Sequence, residues 1–302
     1  MSARLDTYNV IGNREALTNT IADLFADETP LFSMAKKTRA TGVLHEWQED
    51  TLASASKAGA VEGATVVYAK TGVRTRLKNP TQIRIRPWEV TFTQEAVTTA
   101  GIKSSVAREL MKAMKALATD FEKIFQSTAA TTDGTSASGR TAKGLSKAIT
   151  TNVVSKAGVS TFLDEDDIGR ILQKIWNQGG NPNVLFCGGQ SKRQISETFS
   201  AKTGFSFNID QGARKMISNI NSYEGSFGTL SVMPSRQIRP EKISIVQSDM
   251  LRVPVLRDIQ QYKGAQTASS FKGWVEGEMT FEWGNQKAHG KYSGATTAGT
   301  VS

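Results

Sequence analysis

The stretch 103–126, KSSVARELMKAMKALATDFEKIFQ, carries the longest unbroken helical signal in the chain. Val106, Leu110, Met114, Leu117, Phe121 and Ile124 follow one another at steps of four, four, three, four and three. Steps of three and four keep side chains on one stripe of an α-helix. No Gly or Pro interrupts the run, and Ser105 is placed to cap its first turn. About 22 residues at 1.5 Å each span about 33 Å, the width of a small domain. The opposite face holds Arg108, Lys112, Lys115, Asp120 and Lys123. A narrow apolar stripe backed by a charged face predicts a long helix over 105–126 lying across a sheet, with the six stripe residues as its core face.

The residues before this helix impose a second constraint. HEWQEDTL (45–52) reads as a polar strand, and 53–64, rich in Ala, Gly and Ser, as a flexible tip. Residues 65–78 and 81–98 return as strands. Ile83 and Ile85 share one face, and after Pro87 the pattern passes to Trp88, Val90 and Phe92, which predicts a bulge or an edge strand. From Gly63 to Trp88 there is no acid, but there are Lys70, Arg74, Arg76, Lys78, Arg84 and Arg86. An arm of about 12 residues reaches about 40 Å. A lone two-stranded hairpin is marginal in water, so this one must lie on its own domain or on another subunit. Its charge favours an acidic surface of a neighbour. Trp47, Lys70, Arg74, Arg76, Lys78, Arg84 and Arg86 are the expected inter-subunit contacts.

The first 30 residues read as an arm. Leu17, Ile21, Leu24 and Phe25 stand at helical spacing, Asn13 is placed as cap, and Pro30 stops the run. Residues 128–144 form a loop dominated by Ala, Thr, Ser and Gly. It holds GTSASGRT (134–141), which imitates a phosphate-binding loop. Arg140 stands where that motif needs Lys, and a helix precedes it instead of a strand. A second helix is predicted over 163–180, with Asp164 as cap, a staple of Leu163 and Ile168, and a core stripe of Ile168, Ile171, Leu172 and Ile175. Asp166 and Asp167 complement its dipole, so the acid run needs no metal. NVLFC (183–187) reads as a buried strand with an inert thiol at Cys187, followed by a helix over 190–199 and another over 211–220. After 225 short strands recur at 227–234, 242–247, 250–257 and 272–283, with a last one to Tyr292. The mixture is α+β.

The net charge of +9 fits an acidic partner, a nucleic acid, or simply a soluble surface. One cysteine forms no intrachain disulfide, and a reducing compartment is expected. No apolar run approaches the roughly 18 residues of a membrane span, and MSARLDTYNV has no signal-peptide core. The two histidines, His45 and His289, stand in no metal-ligand pattern, and no GxSxG elbow occurs. No catalytic, cofactor or metal residues are expected. No zinc finger, RNP motif or helix-turn-helix is present for base readout.

Several segments together resemble one family. NREALTNTIADLFADETPLFS, HEWQEDTL, the long hairpin and the helix after it, GRTAKGLSKAITTN, SYEGSFGTLSVMPSRQIRP, SDMLRVPVLR and GEMTFEWGNQKAHGKYSG are similar, in this order, to SU10-like major capsid proteins of tailed phages. The resemblance implies an HK97-like α+β fold. Its parts would be an N-terminal arm (1–41), an extended loop (42–87), a peripheral domain (88–157) with the spine helix 105–126, an axial domain (158–261), and return strands with a tail (262–302). It implies a chain that assembles with itself, as hexamers and pentamers, into an icosahedral virion shell around double-stranded DNA held non-specifically. Portal, scaffold and decoration proteins are the implied further partners, with the host cytoplasm as the place of assembly and no membrane. The short arm implies a separate scaffold or none. No motif assigns a covalent cross-link. The rival readings are an encapsulin-like cellular shell, a basic nucleic-acid-binding protein, and a hydrolase.

Overall fold

The computed structural model describes residues 28–52, 55–66, 68, 72, 74–156, 163–202, 221–240 and 242–294. The helices expected over 13–25 and 211–220, the tail, and Lys70 lie outside these residues. The elements run α1 (Pro30–Met34), β1 (Lys36–Arg39), β2 (Leu44–Glu49), β3 (Thr75–Pro80), β4 (Gln82–Thr91), α2 (Phe92–Ala96), α3 (Ser105–Phe125), α4 (Leu145–Ala148), β5 (Val153–Lys156), α5 (Glu165–Asn177) and β6 (Val184–Cys187). They continue with α6 (Gly189–Lys202), β7 (Ser222–Gly225), β8 (Gly228–Pro234), β9 (Lys242–Val246), β10 (Arg252–Lys263), β11 (Ser270–Met279) and β12 (Gly290–Gly294).

The long helix forms where its periodicity places it. Its cap is Ser104 rather than Ser105: the Ser104 hydroxyl accepts from Ala107 N at 3.2 Å. Glu95, at the end of the previous short helix, adds a second cap by accepting from Val106 N at 3.1 Å. Leu117 and Phe121 are fully buried, and Val106, Leu110 and Ile124 pack half-buried against the same core. Met114 does not belong to the core face, being 40% exposed; Ala113 and Phe125 turn inward instead. The helix lies close to β11, where a Cβ on Gly277 would stand 3.4 Å from the Phe121 ring. On the side that meets the core a small residue is used, and Met114, one step round, is left outside.

Three sheets build the described residues: β1-β10-β11-β4, β5-β12-β9-β6-β8-β7, and the two-stranded ribbon β2-β3. The α3 helix packs on the four-stranded sheet, and their shared core holds Leu31, Phe121, Phe125, Val275 and Phe281. The core of the six-stranded sheet under α5 holds Ile168, Ile171, Leu172, Ile175, Leu185 and Ile245. At the start of α5 the Asp167 carboxylate accepts from Asp164 N at 3.0 Å and pairs with Lys156 at 2.6 Å, while Gly179 with φ +84° turns the chain away at the far end. Cys187 lies inside the fully buried β6, where burial pushes its thiol up to about 11, so it stays protonated at neutral pH.

Strand pairing crosses the bounds of the expected blocks. β12 pairs parallel with β5 and antiparallel with β9, so both β5 and β12 belong to the six-stranded sheet. β10, expected to fall largely before 261 with the axial segment, is a central strand of the four-stranded sheet. Within the segment expected to be one hairpin to 87, the β2–β3 ladder stops at Pro80 and β4 pairs with β11. Of the strand expected over 65–78, the described residues show β3 from Thr75, and the one over 81–98 gives way to a helical turn at Phe92.

Candidate assembly interface

The hairpin divides into an anchored base and a free outer part. At the base, Trp47 packs edge-on against Trp283 with ring centroids 4.7 Å apart and donates its indole N–H to Gly284 O at 2.8 Å. His45 meets Glu282 at 2.8 Å, and Glu49 accepts from Gln286 N at 3.2 Å. Asn79, fully buried, donates to Phe281 O at 2.8 Å and accepts from Lys143 N at 2.8 Å. These bonds join the ribbon to the segment after β11 and, through Lys143, to the residues before α4. Burial pushes the Glu282 carboxyl up, but His45 and Arg252 outweigh it and hold the group below the usual carboxylate range.

Beyond the base nothing among the described residues receives the hairpin. The β2–β3 ladder covers six residues on each side, about 20 Å. Past it, Leu52 and Tyr68 are 100% and 92% exposed, with Val61 and Val66 also in solvent. Among the described residues, Arg74 and Arg76 make exposed cross-ribbon pairs alone, with Asp50 at 3.3 Å and Glu46 at 3.4 Å, and Lys78 is exposed.

Three of the expected inter-subunit contacts are held within the chain. Trp47 is the first. Arg84 and Arg86 are the others: both reach Asp120 on α3, Arg86 with two bonds of 2.7 and 2.6 Å and Arg84 with one of 3.1 Å. The pattern shift expected at Pro87 does not occur. Arg84, Arg86, Trp88 and Val90 all face the helix, while Ile83 and Ile85 point out, 41% and 49% exposed. The pairing of β4 with β11 runs unbroken through Pro87↔Trp274, and the irregularities sit in β10 instead. Asp120, nearly buried on the helix, explains the choice: two guanidinium forks beneath it satisfy its carboxylate. β4 is indeed an edge strand among the described residues. Replacing Asp120 with Ala is expected to lower the unfolding free energy by about 1 kcal/mol, a modest loss because both arginines are over a third exposed and keep water as a partner. Urea unfolding measures it.

Two carboxylates that sequence reasoning missed join other segments. Glu278 accepts from Thr81 Oγ1 at 2.7 Å, Arg140 at 2.7 Å and Arg257 at 2.9 Å. Glu282 binds Arg252 at 2.6 Å besides His45. Both stand in the run GEMTFEW, where acids interrupt apolar strand residues, and that is a readable signal. The fate of Arg140 also removes the phosphate-loop reading, since its guanidinium is spent on Glu278 and Thr81 O. Among the described residues no cluster of metal-ligating side chains occurs, and no helix is long and apolar enough to cross a membrane.

Among the described residues, two buried apolar clusters stand beside a projecting ribbon whose outer apolar side chains are exposed. The model of the SU10 major capsid protein family matches residues 5–296. The chain belongs to the SU10 major capsid protein family. It is a phage major capsid protein, a structural component of the virion shell that assembles with copies of itself. No curated protein matches it by sequence. Solved structures place the fold as HK97-like. A chain from Mycobacterium phage Ogopogo superposes with TM-score 0.68 at 12% identity, covering 97% of this chain and 100% of that one. The capsid of cyanophage P-SCSP1u gives TM-score 0.64 at 8% identity over 98% and 100%. The SrpI encapsulin of Synechococcus elongatus PCC 7942 gives 0.62 at 10% over 94% and 95%.

Proposed function

We propose that this capsid protein builds an icosahedral shell of hexamers and pentamers around double-stranded DNA, with residues 50–74 of each copy lying on a neighbour. The observation that carries this reading is the exposure of Leu52, Val61, Val66 and Tyr68 on a ribbon whose base is fixed and whose outer part is bare. Apolar side chains held out in water on a projecting arm gain by being covered, at roughly 25 cal/mol per Å2 removed from solvent. Ile83 and Ile85, on the outward face of the four-stranded sheet, offer further apolar surface to a neighbour. In this reading the four-stranded sheet with α3 is the peripheral domain and the six-stranded sheet the axial one. Head-to-tail contacts close into rings, and many modest contacts per copy make the shell durable. Lys70, Arg74, Arg76 and Lys78 add register and specificity more than affinity. A portal, with a scaffold or decoration protein, completes the particle, which assembles in the host cytoplasm.

The test is electron microscopy of the purified chain beside a variant carrying Arg74→Glu, Arg76→Glu and Lys78→Glu. Closed particles are expected from the first. The variant is expected to keep the same circular dichroism and melting temperature within a few degrees and to lose at least tenfold in particle yield. Normal particles from it defeat the reading of the hairpin. The likeness to an encapsulin supports a second reading, a shell holding protein cargo. The contents of particles recovered from the native source, DNA or protein, separate the two.

A further inference from the structure

Four lysines from separate parts of the chain converge beside α4. Lys291 on β12 donates from Nζ to Ser146 O at 2.7 Å, which sets it next to Lys147 at the exposed end of that helix. Lys143 stands just before the helix, its Nζ 5.2 Å from the centroid of the Trp283 ring. Lys242 on β9 lies on the same sheet face as Lys291, because the register sets Ser293 opposite Lys242 and Lys291 opposite Ser244. The amines sense one another. Burial lowers the pKa of Lys291, and Lys242, Lys147 and Lys143 lower it further; burial and Lys147 do the same to Lys143. Among the described residues, Lys143, Lys147 and Lys291 meet no carboxylate within ion-pair distance. Lys143, Lys147 and Lys291 thus gather like charge at some electrostatic disadvantage, with no carboxylate of the described residues in ion-pair distance, which makes a place for an external anion.

We propose that Lys143, Lys147 and Lys291, reinforced by Lys242, form a contact site for the phosphodiester backbone of duplex DNA. The inference rests on the reading of the chain as a shell around DNA and names the surface that touches it. A neighbouring copy is the poorer partner. Every copy carries a net +9, so its exposed carboxylates, such as Glu62, Asp133 and Asp249, are outnumbered by cations, whereas duplex DNA offers negative charge alone. Duplex DNA supplies one negative charge per roughly 1.7 Å of axis and needs no sequence-reading element to be held this way. Lysine suits the task, since a point charge on a flexible stem follows a backbone whose register is not fixed.

The measurement is the affinity of the unassembled chain for a 30-base-pair duplex, by fluorescence anisotropy between 50 and 200 mM salt. The triple variant Lys143→Gln, Lys147→Gln, Lys291→Gln is expected to flatten the slope of log K against log salt by roughly 0.9 per lost contact, between two and three in all. Its affinity at 50 mM salt should fall at least tenfold. The equally discharged variant Lys36→Gln, Lys103→Gln, Lys123→Gln should change the slope by less than one. Lys147→Gln alone, at an exposed position, should flatten it by about 0.9 if the triple variant fails to fold. An unchanged slope overturns the proposal, as does an equal change in both triple variants, which would mean net charge alone. Loss of particles with DNA binding intact overturns it too, assigning the lysines to an acidic surface of a second copy. A wild-type chain that never closes into particles defeats the shell reading instead, and leaves the salt slopes interpretable.

Discussion

Glu122→Ala is expected to lower the unfolding free energy by about 3 kcal/mol and to loosen the segment around α1. Glu122 sits on α3 with no solvent exposure, and its carboxylate accepts from Leu31 N at 3.1 Å and Phe32 N at 2.7 Å. These are amides of the first turn of α1, whose own N-cap, Thr29, makes no side-chain capping bond and meets only the Ser33 hydroxyl at 3.2 Å. The orphan donors at that helix start are thus satisfied by a carboxylate some 90 residues away. Gln126 donates its amide to the same carboxylate and to Ser235 Oγ, at 3.2 Å in the latter case, which ties the end of β8 into the network. Around it Phe32 stacks on Phe121 at 6.2 Å. Burial pushes the carboxyl pKa up against the pull of these hydrogen bonds. Alanine removes the acceptor and strands two buried N–H groups, each worth roughly 1–3 kcal/mol. Glutamine keeps an acceptor and sheds the buried charge, so Glu122→Gln should stay within about 1 kcal/mol of the parent. Urea unfolding reads the stability, and limited trypsin cleavage at Lys36 and Lys37 reads the release of the segment. An alanine variant as stable and as protected as the parent removes Glu122 as the anchor.

What could be read from the sequence followed the range of the forces involved. The α3 and α5 stripes are local patterns, and Leu117, Phe121, Ile168, Ile171, Leu172 and Ile175 lie where a 3.6-residue period puts them. Met114 shows the limit of that rule. Ala113 and Met114 stand 100° apart on the wheel, and the sheet beneath the helix decides which one turns inward. Arg84 and Arg86 show a stronger override. Hydropathy turns Ile83 and Ile85 inward, but the partner that reverses the strand is Asp120, more than 30 residues later. Sheet membership was the least legible feature, since the pairing of Lys291 with Val153 leaves no local trace. The hairpin was legible because its deficit is compositional: too few apolar residues to hold itself together. That same composition hid the partners that Trp47, Arg84 and Arg86 have within the chain, while Leu52, Val61, Val66 and Tyr68 of the outer ribbon are exposed.

Acidification from pH 7 to pH 4 is expected to take about 3 kcal/mol of stability from the unassembled chain through His289 alone. The ring is fully buried. Its Nδ1 faces the Gln247 N–H at 3.3 Å and can only accept there, so Nε2 carries the proton and donates to Trp283 O at 2.7 Å. A second proton, on Nδ1, would turn a donor against the Gln247 N–H. Burial therefore lowers the pKa from 6.5 to about 4, and the Trp283 carbonyl only partly opposes it. Between those values the unfolded chain binds more protons than the folded one, so stability rises with pH. The contribution is complete above 6.5 and is lost as pH falls toward 4. Glu278 and Glu282, both held below the usual carboxylate range, keep their contributions through most of this window and lose them at lower pH. His289→Leu isolates the effect. It is less stable than the parent at pH 7, because Gln247 N and Trp283 O lose their partner, but it has no ring to protonate. The gap between parent and variant in urea unfolding should shrink by about 3 kcal/mol between pH 7 and pH 4. A gap that stays constant over that range means that His289 is not the group whose protonation loosens the fold.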